Sequence, residues 1–325
     1  MITKPIKFLI NWRPFPLYEL ISYIIMYASV PMLAYGVQPY NEGIINIIIL
    51  SILTLYSGFF AALIWNDITD ADIDAIAHPD RPVPKGSISK GKFFAVALIF
   101  SAMTFIFALM VSPWVLIVVG MTALFVAFHN KYLKKIVKIP AYSEIFTPVQ
   151  WLTVALFGFF AIWTALPQSN DIYLTVPILG FISLDATSLQ VLIILVLFTY
   201  FADDAHDLPE GIHDVEGDRK IGVRTYATSF GEINAAKISF TMFFISGILG
   251  IMLYQQTFLS FIFLVPFLII WIYILSWSYR LIKSDRTNRK EIATKVGRKG
   301  FDYLLMSYNL IFLDVLIQLI QYHYF

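Results

Sequence analysis

The chain has 325 residues and no cysteine; 58% of it is hydrophobic, 17% aromatic and only 14% charged, with a mean hydropathy of +0.73. That balance excludes a water-soluble globular domain and points to a polytopic membrane protein. The missing cysteine excludes disulfides, thiolate catalysis and cysteine-ligated metal, and a net charge of +1 gives no reason to expect nucleic-acid binding.

Nine apolar segments, each near the ~20 residues that a bilayer core requires, predict nine transmembrane helices. They fall at 17-37, 44-65, 92-111, 113-129, 144-165, 187-203, 236-254, 257-278 and 302-322. The first lacks a small-residue cleavage site and reads as a retained span, not a signal peptide. All 23 Lys and Arg residues lie on one side of this arrangement, ahead of the first span or after the second, fourth, sixth and eighth. The positive-inside rule therefore puts the N-terminus and those four loops in the cytoplasm, on a face suited to anionic lipid heads and phosphorylated substrates. No linker or low-complexity tract interrupts the pattern, so residues 1-325 read as a single all-α membrane domain.

Acidic residues are not scattered. Asp67, Asp70, Asp72, Asp74 and Asp80 after the second span, and Asp203, Asp204, Asp207, Glu210, Asp214, Glu216 and Asp218 after the sixth, make 12 of the 22 acids in the chain. Carboxylates so gathered repel one another unless cations sit between them, and oxygen-rich, nitrogen-poor clusters suit Mg²⁺ or Ca²⁺ better than Zn²⁺. The offset of four spans between the clusters suggests two four-helix halves of the same orientation, which would bring both clusters to one cytoplasmic mouth.

In the first cluster Asp67, Asp70 and Asp74 stand at i, i+3 and i+7, one helical stripe with Asn66 beside it. A platform of three carboxylates and an amide can bind Mg²⁺ and leave positions free for diphosphate oxygens. The run from His78 to Gly86 contains three prolines and predicts a rigid turn. Arg81 in that turn offers a bidentate fork for the same phosphate, although topology alone also favours a base there.

In the second cluster Pro209 and Gly211 predict an interrupted helix, leaving Asp214 and Asp218, at i and i+4, as the best-placed pair, with Arg219 and Lys220 adjoining. Asp203, Asp204 and Asp207 lie nearer the membrane, where an acid needs a metal or a base as partner. Glu19, Asn309 and Asp314 are polar groups in or near spans, and a functional role or a packing hydrogen bond explains them equally well.

The motifs NDxxDxxxD from Asn66 to Asp74, RPxPxG from Arg81 to Gly86 and DVEGDxxxGxxT from Asp214 to Thr225 together resemble the UbiA superfamily of intramembrane prenyltransferases, over essentially the whole chain. Arg13-Pro14 is similar to a common start in that family. The resemblance implies a nine-helix bundle around a cavity open to the bilayer, with Mg²⁺ and an isoprenyl diphosphate held by Asp-rich loops. It implies Asp67, Asp70, Asp74, Asp214 and Asp218 as metal and diphosphate ligands, supported by Asn66, with Arg81 and Lys134 as diphosphate-contacting bases. One departure stands out: an acid that the family often has ahead of the second motif falls here at Gly211, as if a short insertion followed His206-Asp207-Leu208-Pro209.

The implied reaction transfers an isoprenyl group to a lipophilic acceptor. The run from Asp74 to Gly86 is most similar to archaeal prenyltransferases acting on geranylgeranylglyceryl phosphate and to chlorophyll synthases. Aromatic or quinone prenylation, carotenoid elongation and terpene cyclisation are the alternatives within the family, and a divalent-cation transporter is the alternative outside it.

Overall fold

The computed structural model describes residues 12, 15–36, 41–69, 71, 83–86, 88–133, 136–166 and 172–324. Among them, nine helices are long and apolar enough to cross a membrane. In chain order the elements are α1 (Leu17–Tyr35), α2 (Gly43–Thr69), α3 (Lys90–Val111), α4 (Pro113–Phe128, continued by a π-helical turn His129–Leu133), the short α5 (Tyr142–Ile145), and α6 (Val149–Ala165). There follow β1 (Ile172–Val176), β2 (Gly180–Leu184), α7 (Ala186–Ile221), the short α8 (Tyr226–Phe230), α9 (Glu232–Gln256), α10 (Phe261–Lys283) and α11 (Arg289–Tyr324). The antiparallel hairpin of β1 and β2, with Ile172 opposite Leu184, is the one extended element among the described residues and joins the two halves of the bundle.

The long helices pack as two quartets. In the first, α2, α3, α4 and α6 each touch the next and α6 closes back on α2; in the second, α7, α9, α10 and α11 close the same way, with α11 against α7. Helix α1 bridges them through α2, α6 and α11. This is the four-plus-four arrangement that the spacing of the acid clusters suggests. Consecutive spans alternate in direction, so α2 and α7, the first helices of their quartets, run the same way and their acid-bearing C-terminal ends emerge at one end of the bundle.

Two helices extend well beyond their apolar segments. Helix α11 begins at Arg289 where hydropathy places a start near 302, and α7 runs 36 residues to Ile221 where hydropathy ends it at 203. The interruption expected at Pro209 and Gly211 does not occur. Proline at 209 has no N–H to give the carbonyl of Ala205 four residues back. Ser239 of α9 supplies the missing donor: its Oγ bonds Ala205 O at 2.7 Å, and Ser239 is wholly buried. A neighbouring hydroxyl thus satisfies the carbonyl that proline leaves without its donor, and the helix continues to Ile221. No looped-out insertion is present between His206 and Asp214.

Helix α7 then ends at a left-handed residue, Gly222 with φ 77°, whose N–H returns to Asp218 O. Thr225 starts α8 with a reciprocal cap: its Oγ accepts from Thr228 N–H, and Thr228 Oγ accepts from Thr225 N–H at 2.8 Å. The glycine and threonine of the second motif are therefore a helix stop and a helix start.

The polar groups of the membrane region turn out to fix packing. Asp314 of α11 caps the N-terminus of α10, accepting from Ser260 N–H, Ser260 Oγ at 2.8 Å and Phe263 N–H at 3.2 Å. Asn309 donates to Ser22 of α1 at 3.0 Å, and Glu19 of α1 pairs with Arg298 of α11. Each joins two helices.

Candidate active site

Asn66 and Asp67 lie in the last turn of α2, where the helix leaves its apolar stretch. Asp67 is buried, only 2% exposed, and its Oδ2 accepts from Trp12 Nε1 at 2.7 Å. The Trp12 ring meets Phe93 of α3 edge-on at 5.5 Å and Phe60 of α2 at 6.4 Å. These rings, with Ile64, Ala71, Val83 and Ala97, form a small separate core beside the end of α2. The turn expected of the proline-rich run is present at its end, where Gly86 N–H bonds Val83 O at 3.1 Å. Asp70, Asp74, Arg81 and Lys134 lie outside the described residues.

The unbroken α7 changes the reading of the second cluster. It sets Asp204, Asp207, Gly211, Asp214 and Asp218 at i, i+3, i+7, i+10 and i+14, a spacing that keeps all five within about 80° of arc on one helix. Asp204 is fully buried, Asp207 and Asp218 partly, and Asp214 is exposed, paired with His213 at 2.7 Å. The stripe thus runs from the packed interior outward. Arg219 and Lys220, both exposed in the last turn, stand about 100° and 200° round the helix from Asp218, off this stripe.

The three acids nearest the membrane are now distinguishable. Asp203 faces a base, with Oδ1 3.0 Å from His206 Nε2, and His206 Nδ1 lies 3.4 Å from Asp207. Asp204 accepts from the Tyr226 hydroxyl at 3.3 Å on Oδ2, while its buried Oδ1 has no hydrogen-bond partner among the described residues. Burial, with Asp204 beside it, pushes the Tyr226 phenol well above its usual range, so Tyr226 keeps its proton and donates a hydrogen bond to Asp204.

A residue that sequence reasoning passed over joins this site. Glu144 of α5 is buried, and its Oε2 accepts from the backbone N–H of Tyr226. Further bonds hold α5 against the segment after α7: Ser143 N–H to Arg224 O at 3.2 Å, Ala141 N–H to Ser229 Oγ at 2.9 Å, and the Arg224 guanidinium to Lys138 O. Trp12 was missed for a similar reason, being the neighbour of Arg13-Pro14 and not part of an acid motif. Only tertiary packing brings either residue to the acids.

An aromatic cluster lies on the membrane side of both motifs. Tyr23 of α1 meets Phe59 of α2 at 4.8 Å, Trp151 of α6 at 5.9 Å and Phe301 of α11 at 6.2 Å, and His206 meets Phe301 edge-on at 5.1 Å. Phe60 precedes Asp67 by two helical turns, about 10 Å along α2. Rings from four helices therefore flank the bundle interior next to the acids.

Among the described residues no group of three or more His, Cys, Asp or Glu is drawn together into a formed metal centre. The donor set is nonetheless all oxygen, and the orphaned Oδ1 of the buried Asp204 is the kind of atom that a cation or its water satisfies.

Comparison with known proteins agrees with this architecture. A digeranylgeranylglyceryl phosphate synthase of Natronomonas pharaonis is 28% identical over 170 residues, 51% of this chain and 51% of that one. The matched region thus spans about half the length of this curated relative. A solved UbiA homologue from Aeropyrum pernix superposes with a TM-score of 0.64 at 15% identity, covering 90% of this chain and 99% of that one. A UbiA homologue from Archaeoglobus fulgidus, solved with GPP and Mg²⁺, gives a TM-score of 0.55 at 14% identity, covering 91% and 97%. Residues 23–297 match the UbiA prenyltransferase family, a stretch that takes in both acid motifs and the helices that carry them, and the chain belongs to that family.

Proposed function

We propose that this chain is an intramembrane prenyltransferase that moves the isoprenyl group of a polyprenyl diphosphate, geranylgeranyl diphosphate by preference, onto geranylgeranylglyceryl phosphate in archaeal-type membrane lipid synthesis. The observation that carries this reading is the pair of acid motifs at the C-terminal ends of α2 and α7, at one end of the bundle with aromatic rings on their membrane side. The acceptor is supported by the name of the Natronomonas relative, and the donor by the GPP and Mg²⁺ in the Archaeoglobus homologue. The whole chain, 1-325, is taken to act as one unit in the cell membrane, with the motif loops on the cytoplasmic side.

In this account Asp67, Asp70 and Asp74 from α2, and Asp214 and Asp218 from α7, are the Mg²⁺ ligands. Asn66, Arg81 and Lys134 contact the diphosphate, with Arg219 and Lys220 at its margin. Bound Mg²⁺ supplies charge neutralisation that makes the diphosphate a competent leaving group. Trp12 holds the Asp67 carboxylate in place. The aromatic faces of Tyr23, Phe59, Phe60, Trp151 and Phe301 attract the positive charge that develops on the allylic carbon as its bond to the diphosphate oxygen breaks, and the apolar surroundings keep out water that would quench it. The acceptor hydroxyl oxygen forms the new C–O bond and gives up its proton to the departing diphosphate or a base.

The test is product formation by the purified protein from radiolabelled geranylgeranyl diphosphate and Mg²⁺, offered geranylgeranylglyceryl phosphate, quinone precursors or no acceptor. Product with the glycerophosphate alone is expected. Product with a quinone precursor replaces the acceptor, product without acceptor indicates a cyclase, and Mg²⁺ flux through the protein without any product favours a cation transporter.

A further inference from the structure

The acid stripe on α7 has one gap. Asp204, Asp207, Asp214 and Asp218 follow heptad-like spacing, and the position that completes it is Gly211, buried in the middle of the row. Glycine in a helix interior costs stability and calls for a reason, most often the close approach of another group. Here the group is a carboxylate. A Cβ built on Gly211 would collide with Oε1 of Glu144, and would lie 3.3 Å from its Cδ and 3.5 Å from Thr225 Cβ. The side-chain space of residue 211 is thus already occupied, by an acid reaching in from α5.

The two oxygens of Glu144 have different surroundings. Oε2 is taken by the Tyr226 N–H at the start of α8. Oε1 lies over Gly211, at the position between Asp207 and Asp214 in the stripe. Glu144 is 6% exposed and Asp204 is fully buried with its Oδ1 unpartnered among the described residues. A tether to the Tyr226 N–H needs only one oxygen, whereas Glu144 sets its other oxygen in the row of α7 acids at the position that the row leaves to glycine, an oxygen donor of the type that a divalent cation takes.

We infer that Glu144 supplies, from a neighbouring helix, the carboxylate that α7 lacks at Gly211, and that it is a metal ligand of the second motif. The inference rests on the prenyltransferase reading above and extends its ligand set. It also gives the bonds between α5 and residues 224–229 a purpose, since they fix the helix that delivers the acid.

The experiment measures the Mg²⁺ concentration that half-saturates binding of radiolabelled geranylgeranyl diphosphate, together with the thermal midpoint of each variant in detergent. Glu144→Gln keeps an oxygen for the Tyr226 N–H, so its thermal midpoint is expected to stay near that of the parent while the Mg²⁺ requirement rises by about 10-fold or more. In the double variant Glu144→Ala with Gly211→Asp, the acid returns from α7 itself, and the Mg²⁺ requirement is expected to fall back toward the parent value. Gly211→Asp alone puts two carboxylates in one place and is expected to melt earlier. An unchanged Mg²⁺ requirement in Glu144→Gln, in a parent that does bind the donor with Mg²⁺, overturns the inference and leaves Glu144 a tether. Failure of the parent to show any Mg²⁺-dependent donor binding overturns the prenyltransferase reading and this inference with it.

Discussion

Ser239 Oγ donates to the carbonyl of Ala205 at 2.7 Å, replacing the N–H that Pro209 cannot provide. This bond between α9 and α7 is what lets one helix carry the acids from Asp204 to Asp218 in a single register. Ser239→Ala leaves a buried carbonyl unsatisfied and is expected to cost about 2 kcal/mol. In a Pro209→Ala background the backbone supplies its own donor, so the same serine change should cost much less. Thermal or denaturant unfolding of the four proteins in detergent gives the cycle, and equal costs in both backgrounds would show that the hydroxyl does not serve the proline defect.

Trp12 orients Asp67 from outside the acid motif. Trp12→Phe preserves an aromatic ring against Phe60 and Phe93 and deletes the donor to Asp67 Oδ2. Loss of such an orienting partner is expected to weaken Mg²⁺-dependent donor binding by about 10-fold, and, because Asp67 is buried, to cost about 2 kcal/mol of stability. Titration of labelled donor at fixed Mg²⁺ checks it.

Asp67→Ala and Asp214→Ala each remove one proposed ligand from a different motif. Each should lower turnover by at least about 100-fold, above what loss of an outer partner costs, while the protein stays folded. Near-normal product formation by either variant would remove that residue from the site.

Asp314 shows the opposite behaviour of an intramembrane acid. It caps the start of α10 through Ser260 and Phe263, so Asp314→Ala is expected to cost about 2 kcal/mol of stability. Turnover per folded molecule should be unchanged. Comparing unfolding with specific activity separates this packing role from a catalytic one.

The membrane class, the nine spans and the two-quartet plan are legible in the sequence because hydropathy and the placement of Lys and Arg report on the bilayer directly. Helix ends are less so. Hydropathy marks where α7 leaves the apolar region, near residue 203, but the backbone continues to Ile221 through polar sequence. A local rule for Pro209 points the other way because the compensating group, Ser239, is 34 residues distant. The same limit hides Trp12 and Glu144, which reach the acids only through packing. Gly211 was the one visible sign of Glu144: a missing acid in a regular row, whose explanation lay on another helix. The acids themselves were legible as a cluster, yet their sorting required the fold. Asp203 turns to His206, whereas Asp204, Asp207, Asp214 and Asp218 share a stripe.

The central claim is that the two acid motifs together hold a prenyl diphosphate through Mg²⁺. Equilibrium binding of radiolabelled geranylgeranyl diphosphate to the purified protein, with Mg²⁺, with EDTA, and with EDTA followed by excess Mg²⁺, tests it most directly. The account predicts saturable binding with Mg²⁺, its loss in EDTA and its recovery when Mg²⁺ is restored. Binding of equal strength in EDTA, or no binding under any of the three conditions, would contradict it.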